Sequence, residues 1–430
     1  MPRYQRSQAE SSTCSADEPL QGAPLDVDVV VIGAGIVGAC VARAVRLRGF
    51  DVALVDPAPS QGASFGNAGM VVPSYCIPLS TPANLRAGVS ALVRGNDAIS
   101  LSRPLSRSTA GWLVRFALNC RTGRPARIAH DTYQLAARSR ELYDEMQLDG
   151  LDVGLRPLGW LWAYRSASAR RSAVALVRQL EEAGSTGQLL DLDQALAIEP
   201  GLAHDVTAAV WFPDEGSLDP ARATEAIIDD ARARGVIEVR EKVVGADSDG
   251  RRTVSLNTAS RTIRARWVVV ATGAVSRAVG AMLGARINVE AGYGWSLSIP
   301  IDHEPILHPL MNVEDHVVIT PLGGTIRLTG GMQFGGTANA SPPAHATDQL
   351  RSAAARVVPA ISDLAGGTIW RGARPMSSRG LPLLERCRGS DNVFIASGHG
   401  TLGMTLAPIS GEIIAGLIAA QATGIAWRSH

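Results

Sequence analysis

The sequence predicts an α/β protein with an additional α+β region, and three observations indicate this fold class. The ordered part of the chain opens with a buried strand, a glycine-rich turn and an amphipathic helix, within residues 27–47. Two later apolar strands, at residues 267–273 and 392–396, run into turns that contain glycine. Residues 290–334 alternate short strands with turns. A parallel sheet covered by helices and a second, antiparallel or mixed sheet account for all three observations.

Length and composition indicate a large chain with a substantial core. The 430 residues correspond to two or three domain-sized units, and 46% of them are apolar. Lys and Arg number 41 against 40 for Asp and Glu, so the formal net charge is +1, which does not indicate a nucleic-acid partner. The five cysteines are widely spaced without a C-x-x-C pair, which argues against a metal site or a disulfide framework.

The first 30 residues of the ordered chain have the pattern of a β-α-β unit. Val27–Ile32 is composed like a buried parallel strand, and Ile36–Leu47 has helical spacing of its apolar residues. Gly49 ends the helix, and Phe50–Asp56 is a second strand that finishes in an acid. Helices and strands in this order form the first half of a Rossmann-like fold.

The turn between the strand and the helix indicates a bound dinucleotide. It consists of Gly33, Ala34, Gly35, Ile36, Val37 and Gly38. Gly33 permits the tight turn, Gly35 lets a pyrophosphate approach the backbone, and Gly38 lets the helix pack on the sheet. Asp56 follows 18 residues after Gly38, where a carboxylate accepts hydrogen bonds from ribose hydroxyls and repels a 2′-phosphate.

Two distant segments favour FAD over NAD. The strand that ends in Ala271, Thr272 and Gly273 is similar to the A-T-G strand end of flavoproteins with two dinucleotide-binding domains. The segment Gly398–Gly403 precedes a helix, so its N–H groups would face the flavin N1/C2 region, where negative charge develops on reduction. The alternative for Gly398–Gly403 is a purely structural helix cap.

With these residues in view, the chain resembles the D-amino-acid oxidase superfamily of FAD-dependent oxidoreductases, and within it the bacterial D-amino-acid dehydrogenases. Four pieces carry the resemblance: Gly33–Gly38 with Asp56, Gly62–Met70, Gly292–Leu297, and Gly372–Pro375 together with Gly398–Pro408. They span nearly everything from Val27 to about Leu417. The resemblance implies a Rossmann-like FAD-binding domain of the glutathione-reductase/D-amino-acid-oxidase type, plus a substrate domain with a mixed or antiparallel sheet and helices.

The resemblance also implies roles for single residues. Arg374 matches the arginine that pairs with the substrate carboxylate, and Tyr293 matches the strand that faces the substrate over the flavin. Ser64, Asn67, Ala68 and Gly69 would line the isoalloxazine or ribityl portion, and the backbone of Val243 or Val244 would contact adenine. The predicted catalytic residues are Arg374 and Tyr293. The predicted cofactor-binding residues are Gly33, Gly35, Ile36, Val37, Gly38, Asp56, Ser64, Asn67, Ala68, Gly69, Met70, Val244, Ala271, Thr272, Gly273, Gly372, Gly398, His399, Gly400, Thr401, Leu402 and Gly403.

The sequence departs from the family pattern in two places. The family often has Glu where this chain has Asp56. It often has Thr-Pro-Asp-Gly at residues 377–380, where this chain has Ser-Ser-Arg-Gly. The second change places Arg379 near Arg374 in sequence and leaves the substrate preference open. Members with covalent flavin use a cysteine near the Arg374 stretch. Here the nearest is Cys387, so we expect non-covalent FAD.

The implied reaction is oxidation of a Cα–H next to an amine, with hydride transfer to flavin N5 and hydrolysis of the imine to a 2-oxo acid. A bidentate cation should hold the carboxylate, which favours Arg374. Tyr293 is either a hydroxyl donor to the substrate or a half-buried packing residue. D-amino acids are the predicted substrates, including D-proline-like and hydroxyproline-like amines, with a quinone or another carrier as acceptor. The alternatives are a glycine/sarcosine-type oxidase that uses O₂ and an accessory flavin-binding subunit of a multi-chain dehydrogenase.

The order of the motifs predicts a discontinuous arrangement of domains. Residues 27–85, 219–289 and 370–425 are assigned to the FAD-binding domain, and residues 86–218 and 290–369 to the substrate-binding domain. Residues 1–25 are composed like a disordered leader. The local patterns also predict mainly helical structure for residues 84–149, antiparallel strands at 236–244 and 253–256, and a C-terminal helix at 407–420.

A cytoplasmic location is expected, because the chain has no uninterrupted apolar run of ~18 residues and the leader lacks the pattern of a signal peptide. Residues 112–117 lie in a basic helix that carries Trp112 and Phe116. Peripheral contact of this helix with the inner face of the cytoplasmic membrane is one interpretation. Packing of the helix on its own domain is the favoured one.

Overall fold

The computed structural model describes residues 23–82, 85–86, 99–102, 106–120, 124–248, 253–337 and 340–424. The predicted leader therefore lies outside the described residues up to residue 22. Leu25 already belongs to the first strand.

The described residues form both strands and helices. The strands are β1 (Leu25–Ile32), β2 (Val52–Val55), β3 (Met70–Val71), β4 (Ile99–Ser102), β5 (Trp160–Tyr164), β6 (Gln188–Leu190), β7 (Ala208–Phe212), β8 (Gly216–Ser217), β9 (Ile237–Val239), β10 (Gly245–Ser248), β11 (Val254–Asn257), β12 (Thr262–Val270), β13 (Val289–Pro300), β14 (Leu310–Asn312), β15 (Val317–Pro321), β16 (Thr325–Gly335), β17 (Thr368–Ser377), β18 (Leu383–Arg386) and β19 (Val393–Ser397). The α-helices are α1 (Ile36–Leu47), α2 (Arg107–Asn119), α3 (Arg124–Leu148), α4 (Ala167–Ala183), α5 (Leu192–Ile198), α6 (Pro220–Ala233), α7 (Ser276–Met282), α8 (Ala346–Ala355) and α9 (Gly403–Thr423).

The first sheet contains the predicted β-α-β unit. Its main order is β10-β11-β12-β1-β2-β9, with β19 beside the C-terminal part of β12 and β18 beside β19. Strands β12, β1, β2 and β9 run parallel, as does β19 with β12. The four residues of β2 and the C-terminal half of β1 are buried, because α1, α6 and α9 cover one face of the sheet. The predicted strand, helix and second strand are confirmed, and α1 has the predicted bounds.

The second sheet is mixed and contains the central β13–β16 pair. Its main order is β17-β13-β16-β15-β14-β5-β7-β6, and β4 adds to the free part of β16. Most pairs are antiparallel, whereas β14 runs parallel to β5 and β4 to β16. One face packs on α5 and α8, and the other packs on α4 and on the segment after β3. The fold class predicted from sequence is therefore confirmed.

One predicted pairing was wrong, and one region that was predicted to be mainly helical also contains a short strand. Residues 236–244 do not pair with 253–256: β9 joins the parallel sheet beside β2, and β10 is the antiparallel partner of β11. The chain turns between β9 and β10, where the side chain of Glu241 accepts hydrogen bonds from Ser260. Residues 84–149 are mainly helical where described, but they also contain the strand β4, which was not predicted.

The C-terminal helix begins four residues earlier than predicted, at Gly403. Pro408 therefore lies inside α9, where a proline cannot donate to the carbonyl four residues earlier. That carbonyl belongs to Met404, and it accepts a hydrogen bond from the Tyr143 hydroxyl at 2.8 Å instead. The buried phenol of Tyr143 thus compensates for the proline and fastens α9 to α3.

Helix α9 is, by length and composition alone, apolar enough to cross a membrane. However, 67% of its most apolar stretch is buried inside the protein. A Cβ on Gly411 would lie 2.6 Å from the Cys40 carbonyl oxygen, so α9 and α1 approach each other at backbone distance. The apolar composition of α9 is therefore that of a helix in the protein core.

The two sheets can be compared with the predicted domain segments. Strands β2, β9–β12, β18 and β19 fall in segments assigned to the FAD-binding domain. Strand β17, by contrast, belongs to the second sheet although residues from 370 onward were assigned to the FAD-binding domain. The strand that carries Arg374 is therefore part of the second sheet, and the domain boundaries stay predictions.

Candidate functional site

The glycine turn after β1 has the geometry that its three glycines predicted. Gly33 has φ of +103°, and a Cβ there would lie 2.6 Å from the Ala271 carbonyl oxygen. A Cβ on Gly38 would lie 1.8 Å from the Gly33 carbonyl oxygen. A Cβ on Gly35 would have only Ser64 Oγ nearby, at 3.2 Å. Gly33 and Gly38 are thus needed for packing, whereas Gly35 borders a space that backbone does not fill.

The N-terminus of α1 is free to bind an anion. Its N-cap residue is Gly35, which provides no side-chain cap, and its first turn contains no acid. Helix α6, in contrast, is capped by Asp219, which accepts from two backbone N–H groups. At α1 the Ile36 N–H donates to Ser64 Oγ at 3.1 Å. The Ile36 N–H is thus engaged by Ser64, whereas Val37 and Gly38 present the positive end of the helix dipole to the space over Gly35.

Asp56 reaches back to the glycine turn from the end of β2. Its carboxylate accepts the N–H of Ala34 at 2.8 Å and the N–H of Ala58 at 2.8 Å, one on each oxygen. Each carboxylate oxygen has a further lone pair. Asp56 can therefore fix the turn and still accept a hydrogen bond from a ribose hydroxyl, which is the role predicted for it.

The loop that contains Ser64, Asn67, Ala68 and Gly69 is tied to both sheets. Asn67 Oδ1 accepts from the Gly69 N–H at 2.8 Å and shapes the turn. Arg327 on β16 donates to the carbonyl oxygens of Phe65 and Asn67 at 3.2 and 2.9 Å. Burial lowers the pKa of Arg327, whose side chain is almost entirely enclosed. Sequence reasoning missed Arg327, although an arginine between Ile326 and Leu328 in a buried strand was a usable signal.

Met70 connects this loop to the start of α9. It begins β3, and its carbonyl oxygen accepts from the Thr405 hydroxyl at 3.2 Å. The same hydroxyl oxygen accepts from the Val72 N–H at 3.1 Å. The predicted residues Met70 and Leu402 also belong to one apolar cluster. The loop at 62–70 and the turn at 398–403, far apart in sequence, are therefore neighbours.

Ala271, Thr272 and Gly273 lie behind the glycine turn. The Ala271 N–H donates to the Ile32 carbonyl at 2.8 Å. Gly273 has φ of +57°, and its carbonyl accepts from the hydroxyls of Ser276 and Ser397 at 2.7 and 3.0 Å. These contacts hold the ends of β12 and β19 together at the edge of the sheet where the glycine turn lies.

The turn Gly398–Gly403 closes against the strand that carries Arg374. The Gly400 N–H donates to the Pro375 carbonyl at 2.8 Å, and His399 forms a β-bridge with Met376. Gly398 and Gly400 have φ of +82° and +59°. The structure thus brings the predicted residues His399, Gly400, Thr401, Leu402 and Gly403 next to β17.

The imidazole of His399 is engaged within the protein. Its Nε2 lies 2.8 Å from Ser410 Oγ, and the single Ser410 proton is donated to the Leu406 carbonyl at 2.6 Å. Nε2 must therefore carry a proton and donate to Ser410. Burial lowers the pKa of His399 to about 4, so the ring is neutral at neutral pH. The Nε2 side of the ring is thus occupied within the protein, and the backbone of His399 remains its predicted contribution to cofactor binding.

Val244 is less suited than Val243 to the predicted contact with adenine. Its N–H donates to the Asn257 carbonyl at 2.8 Å, and its side chain is 59% exposed. Val243 is buried. Of the two residues proposed for an adenine contact, Val243 is buried, whereas the N–H of Val244 is already hydrogen-bonded to Asn257 at the end of β11.

Arg374 lies over a surface of glycines. It is opposite Gly292 in the β13–β17 register, and a Cβ on Gly294 would lie 2.1 Å from its Nη1 atom. The same nitrogen donates to the Gly331 carbonyl at 2.6 Å. Gly331 has φ of +73° and sits in a bulge of β16, a device that often re-aims groups beside active sites. The glycines make room for the guanidinium, and the bulge supplies its acceptor.

The charge of Arg374 is not neutralised by the described residues. None of them places a carboxylate within ion-pairing distance of this guanidinium. Desolvation lowers the pKa of Arg374, and the nearby Tyr75 opposes that shift. Guanidinium groups stay protonated in proteins. Arg374 is half-buried, and a partly desolvated cation without a counter-charge is unfavourable, so this position fits an anionic ligand group.

Tyr293 faces the other side of the same strands. It is directly opposite Ala373, and its ring lies 3.7 Å from the Arg371 guanidinium carbon. Successive strand residues point to opposite faces, so Tyr293 and Arg374 lie on different faces of the sheet. Farther along the same face, Trp295 and Leu297 enter a core covered by α8. The structure does not bring the two predicted catalytic residues together.

Tyr75 is the tyrosine that the structure places near Arg374. Burial raises the pKa of Tyr75, and the positive charge of Arg374 partly offsets this. Its ring packs edge-on against Trp160 and Trp162, at centroid distances of 5.6 and 5.8 Å. Sequence reasoning missed Tyr75, because nothing in its local pattern separates it from other loop tyrosines.

The buried carboxyl group of Glu215 is hydrogen-bonded to the backbone next to Tyr75. Glu215 Oε1 accepts from the Ser74 N–H at 2.8 Å, and the side chain is almost fully enclosed. Burial raises the pKa of Glu215 to about 8, so it is mostly a neutral acid at pH 7. The strand β8, two residues long, follows Glu215 and pairs with β3. Glu215 therefore positions the chain that carries Tyr75.

Two further residues, Gly372 in β17 and Arg379 just after it, have defined contacts. A Cβ on Gly372 would lie 1.9 Å from the Trp370 ring, which also covers Gly66 in the loop at 62–70. Arg379 is exposed and pairs with Glu385 at 3.2 Å. The positive group introduced by the departure at residues 377–380 therefore turns toward Glu385.

The cysteines offer no nucleophile for a covalent flavin link among the described residues. All four described cysteines are buried, and Cys387 packs in a core with Ile287 and Leu383. Burial raises the pKa of Cys387 to about 12, which suppresses its thiolate form. The expectation of non-covalent FAD stays a prediction that this environment supports.

The predicted segments fit a dinucleotide flavin. A helix N-terminus without side-chain cap, the open space at Gly35, and Asp56 with spare lone pairs form one cradle. The loop at 62–70 and the turn at 398–403 lie together beyond it. These features define the chain as a flavin-dependent oxidoreductase by fold and site.

Comparison with known proteins identifies the family. The model of the FAD dependent oxidoreductase (DAO) family matches residues 28–417, so the chain belongs to this family. A protein of Rhizorhabdus wittichii named D-amino acid dehydrogenase is 30% identical over 408 residues, covering 92% of this chain and 97% of its own. A Ralstonia nicotianae protein named D-amino acid dehydrogenase 2 is also 30% identical, covering 93% of this chain and 98% of its own. The predicted family, the enzyme class and FAD as cofactor are confirmed.

Solved structures show the same fold. Glycine oxidase from Geobacillus kaustophilus superposes with a TM-score of 0.72 at 24% identity, covering 92% of this chain and 95% of that one. L-proline dehydrogenase from P. horikoshii superposes with a TM-score of 0.72 at 21% identity, covering 94% and 95%. L-alpha-glycerophosphate oxidase from Mycoplasma pneumoniae, solved with FAD bound, has a TM-score of 0.70 at 15% identity, covering 92% and 95%.

Proposed function

We propose that this enzyme oxidises D-amino acids to 2-oxo acids and passes the electrons to a quinone or another carrier. The single observation that carries the proposal is Arg374, a half-buried arginine over Gly294 with no carboxylate near it among the described residues. A substrate carboxylate would supply the missing charge in a bidentate pair. The two 30% identical relatives named D-amino acid dehydrogenase support the D configuration and the dehydrogenase type.

In this proposal the residues of the chain bind and orient the substrate. Arg374 fixes the carboxylate, and the Gly331 carbonyl fixes one nitrogen of Arg374. With the carboxylate held, the Cα–H direction is set by where the amine and side chain can lie. Tyr75, whose phenol feels the charge of Arg374 and stays neutral at neutral pH, is the proposed second donor to the carboxylate. Bound FAD supplies the two-electron acceptor for the Cα hydride.

The overall reaction balances without a further reactant. A zwitterionic amino acid, water and an oxidised acceptor give a 2-oxo acid, an ammonium ion and an acceptor reduced by two electrons and two protons. No dedicated general base is needed if the amine reaches the site neutral. Tyr293 is not assigned a role in this step, because it lies on the opposite face of β13 from Arg374.

The predicted FAD-binding set is proposed with one refinement. The cradle of Gly33, Gly35, Gly38 and Asp56 would hold the pyrophosphate and ribose. The loop 62–70 and the turn 398–403 would hold the flavin. For adenine, buried Val243 is a better candidate than Val244, whose N–H is already paired with Asn257.

Peripheral membrane contact is less supported than the sequence alone allowed. Trp112 is 1% exposed and donates from Nε1 to the Met376 carbonyl at 3.0 Å, so it cannot insert into a membrane. Of the apolar side chains of α2, Val114 and Leu118 are 61% and 54% exposed. We place the enzyme in the cytoplasm, with any membrane contact resting on these two residues.

The proposal is tested by following flavin absorbance without oxygen while a panel of D- and L-amino acids, D-proline, hydroxyproline isomers, glycine and sarcosine is added. Bleaching by D-amino acids but not by their L-enantiomers is the expected result. Bleaching by none of them would favour an accessory flavin-binding subunit. Bleaching with rapid stoichiometric peroxide formation in air would instead favour a glycine/sarcosine-type oxidase.

A further inference from the structure

A basic cleft lies outside the cradle described above. It has a volume of about 980 Å³ and is walled by α2, the start of α3, the segment around α7, and residues 378–381. Its interior includes buried apolar residues such as Ile128 and Ile287. This size is at the upper end of the range for small-molecule sites. The cleft can therefore accept a compact ligand with an apolar body.

The charge of this cleft is strongly positive. Five of its lining residues are arginines, and Asp131 is the single acid among those described. The arginines are Arg115, Arg127, Arg277, Arg286 and Arg379. Such a concentration is unexpected in a chain with a net charge of +1.

Carboxylates compensate three of the five arginines. Arg127 lies 3.7 Å from Asp131, Arg277 lies 3.4 Å from Glu290, and Arg379 lies 3.2 Å from Glu385. The remaining positive charge selects for an anion.

The other two arginines account for that excess. Arg115 donates to the neutral side-chain oxygen of Asn288 at 3.2 Å. Arg286 is exposed, and neither it nor Arg115 has a carboxylate in ion-pairing distance within the described ranges. Both side chains are thus available to an incoming ligand.

The cleft is connected to the proposed reaction site through β17. Ser378, in its wall, directly follows β17 and accepts from Asn119 Nδ2 at 2.9 Å through its carbonyl. Trp112, on the helix that carries Arg115, donates to the Met376 carbonyl. Met376 also bridges to His399 in the turn proposed to face the flavin. The back of the cleft is therefore the same backbone that joins Arg374 to that turn.

We propose that this cleft docks an anionic small-molecule electron acceptor. The inference rests on the proposed function, in which the enzyme must deliver electrons to a carrier. One acceptor molecule takes the two electrons and two protons that leave the amine when it becomes an imine. An apolar ring system would lie on the apolar floor, and its negative charge would lie against Arg115 and Arg286.

The test separates docking from substrate oxidation by reducing the enzyme chemically with dithionite and mixing it with dyes. Dichlorophenolindophenol is an anionic two-electron acceptor at neutral pH, and phenazine methosulfate is a cationic one. The variant Arg115→Gln/Arg286→Gln is expected to lower the second-order reoxidation rate with the anionic dye about tenfold at low salt, within the usual range for electrostatic steering. The rate with the cationic dye should stay the same or rise. The difference should disappear at high salt.

Three controls keep the result decisive. Arg171→Gln/Arg178→Gln removes two charges from exposed positions on α4 and should leave both rates unchanged. Arg115→Lys/Arg286→Lys keeps the charge and should restore the anionic-dye rate. If the double Gln variant loses flavin, the single change Arg286→Gln, at an exposed residue, carries the test.

An unchanged anionic-dye rate, or an equal loss with both dyes, would overturn the docking proposal. If none of the D-amino acids bleaches the flavin, the proposed function is overturned instead. Because dithionite reduction needs no substrate, the two failures are distinguishable.

Discussion

The two faces of the β13–β17 strand pair each carry an arginine, and the two arginines differ in what surrounds them. On one face Arg374 lies over Gly294 and donates to a single backbone carbonyl, with no carboxylate nearby among the described residues. On the other face Arg371 covers the ring of Tyr293 and donates to the Thr337 carbonyl at 3.1 Å. The terminal nitrogens and the planar face of Arg371 are therefore engaged within the protein, whereas Arg374 keeps the capacity to bind an anion. The neighbours on the adjacent strand, Gly294 for Arg374 and Tyr293 for Arg371, thus distinguish an arginine that can bind a ligand from one with a structural role.

The largest expected effect is that of Arg374→Ala. Loss of two charge-assisted hydrogen bonds should lower kcat/KM for the best D-amino acid by about 10²- to 10⁴-fold, since each is worth about 1.5–3 kcal/mol. Flavin content should be retained, because no described contact of Arg374 reaches the glycine cradle. Steady-state kinetics with flavin absorbance measure both. The matched variant on the other face, Arg371→Ala, should cost less than about tenfold, as a cation–π contact is worth about 0.5–1 kcal/mol. Equal losses in the two variants would remove the distinction between the faces.

The second effect concerns the glycine beneath Arg374. In Gly294→Ala the new Cβ would lie 2.1 Å from Arg374 Nη1, so the guanidinium must move. The tip of a flexible side chain can shift at small cost to folding, but its pairing with a carboxylate would be misaligned. KM should rise about 10- to 100-fold, because a charge-assisted hydrogen bond is lost without a change in charge.

Gly245→Ala is a suitable control for that experiment. Gly245 is also a strand glycine with negative φ, and its Cβ would meet nothing closer than 3.9 Å. Its kinetics should match those of the wild type. If Gly294→Ala also left KM unchanged, Arg374 would not be the carboxylate ligand.

The backbone of the predicted FAD-binding segments could be predicted well from sequence, because its signals are local. A strand, three glycines at fixed spacing, a helix and an acid follow one another directly, and each restricts the backbone by itself. Gly33 and Gly38 prove to be positions where a Cβ would collide with backbone oxygen atoms. The distant turn at Gly398–Gly403 was found in the same way, since positive φ at two of its glycines leaves a compositional trace.

The substrate side could be predicted only in part, because it depends on register and on contacts between distant segments. Arg374 was predicted from its motif and its role stays a prediction, but the face occupied by Tyr293 follows from the pairing of β13 with β17. Tyr75 was not found, because its approach to Arg374 depends on how the loop after β3 packs on Trp160 and Trp162. Neither the pairing register nor that packing leaves a periodic pattern in the chain.

Replacement of the missed tyrosine gives a smaller expected effect. Tyr75→Phe removes one neutral hydroxyl that feels the charge of Arg374 and keeps the ring against the two tryptophans. A neutral hydrogen bond is worth about 0.5–1.5 kcal/mol, so kcat/KM should fall by about 2- to 12-fold. A wild-type value in Tyr75→Phe would show that the hydroxyl does not contact the substrate, while Tyr75→Ala would then report on packing alone.

Glu215 makes stability depend on pH in a defined direction. The pKa of this carboxyl group rises from 4.5 to about 8 on folding, so between these values the folded protein holds a proton that the unfolded chain releases. Its contribution to the free energy of unfolding is therefore complete below pH 4.5 and declines as pH rises toward 8. In Glu215→Gln that decline should be absent. Melting temperatures at pH 5.5 and 7.5 measure this, and the wild type should lose a few degrees more than the variant. If the melting temperatures of wild type and variant fell equally between the two pH values, Glu215 would be ionised in the folded protein, contrary to the prediction.

The smallest expected effect is that of Tyr293→Phe, which tests the face assignment directly. The ring that supports Arg371 remains in this variant, so the cation–π contact is kept. If Tyr293 lies on the core side of β13, kcat/KM should stay within about twofold of wild type, as is usual where no buried hydrogen bond is lost. If Tyr293 instead donates its hydroxyl to the substrate, the loss should be as large as for Tyr75→Phe or larger. The ratio of the two Phe variants, measured with one D-amino acid under one set of conditions, therefore decides which tyrosine belongs with Arg374.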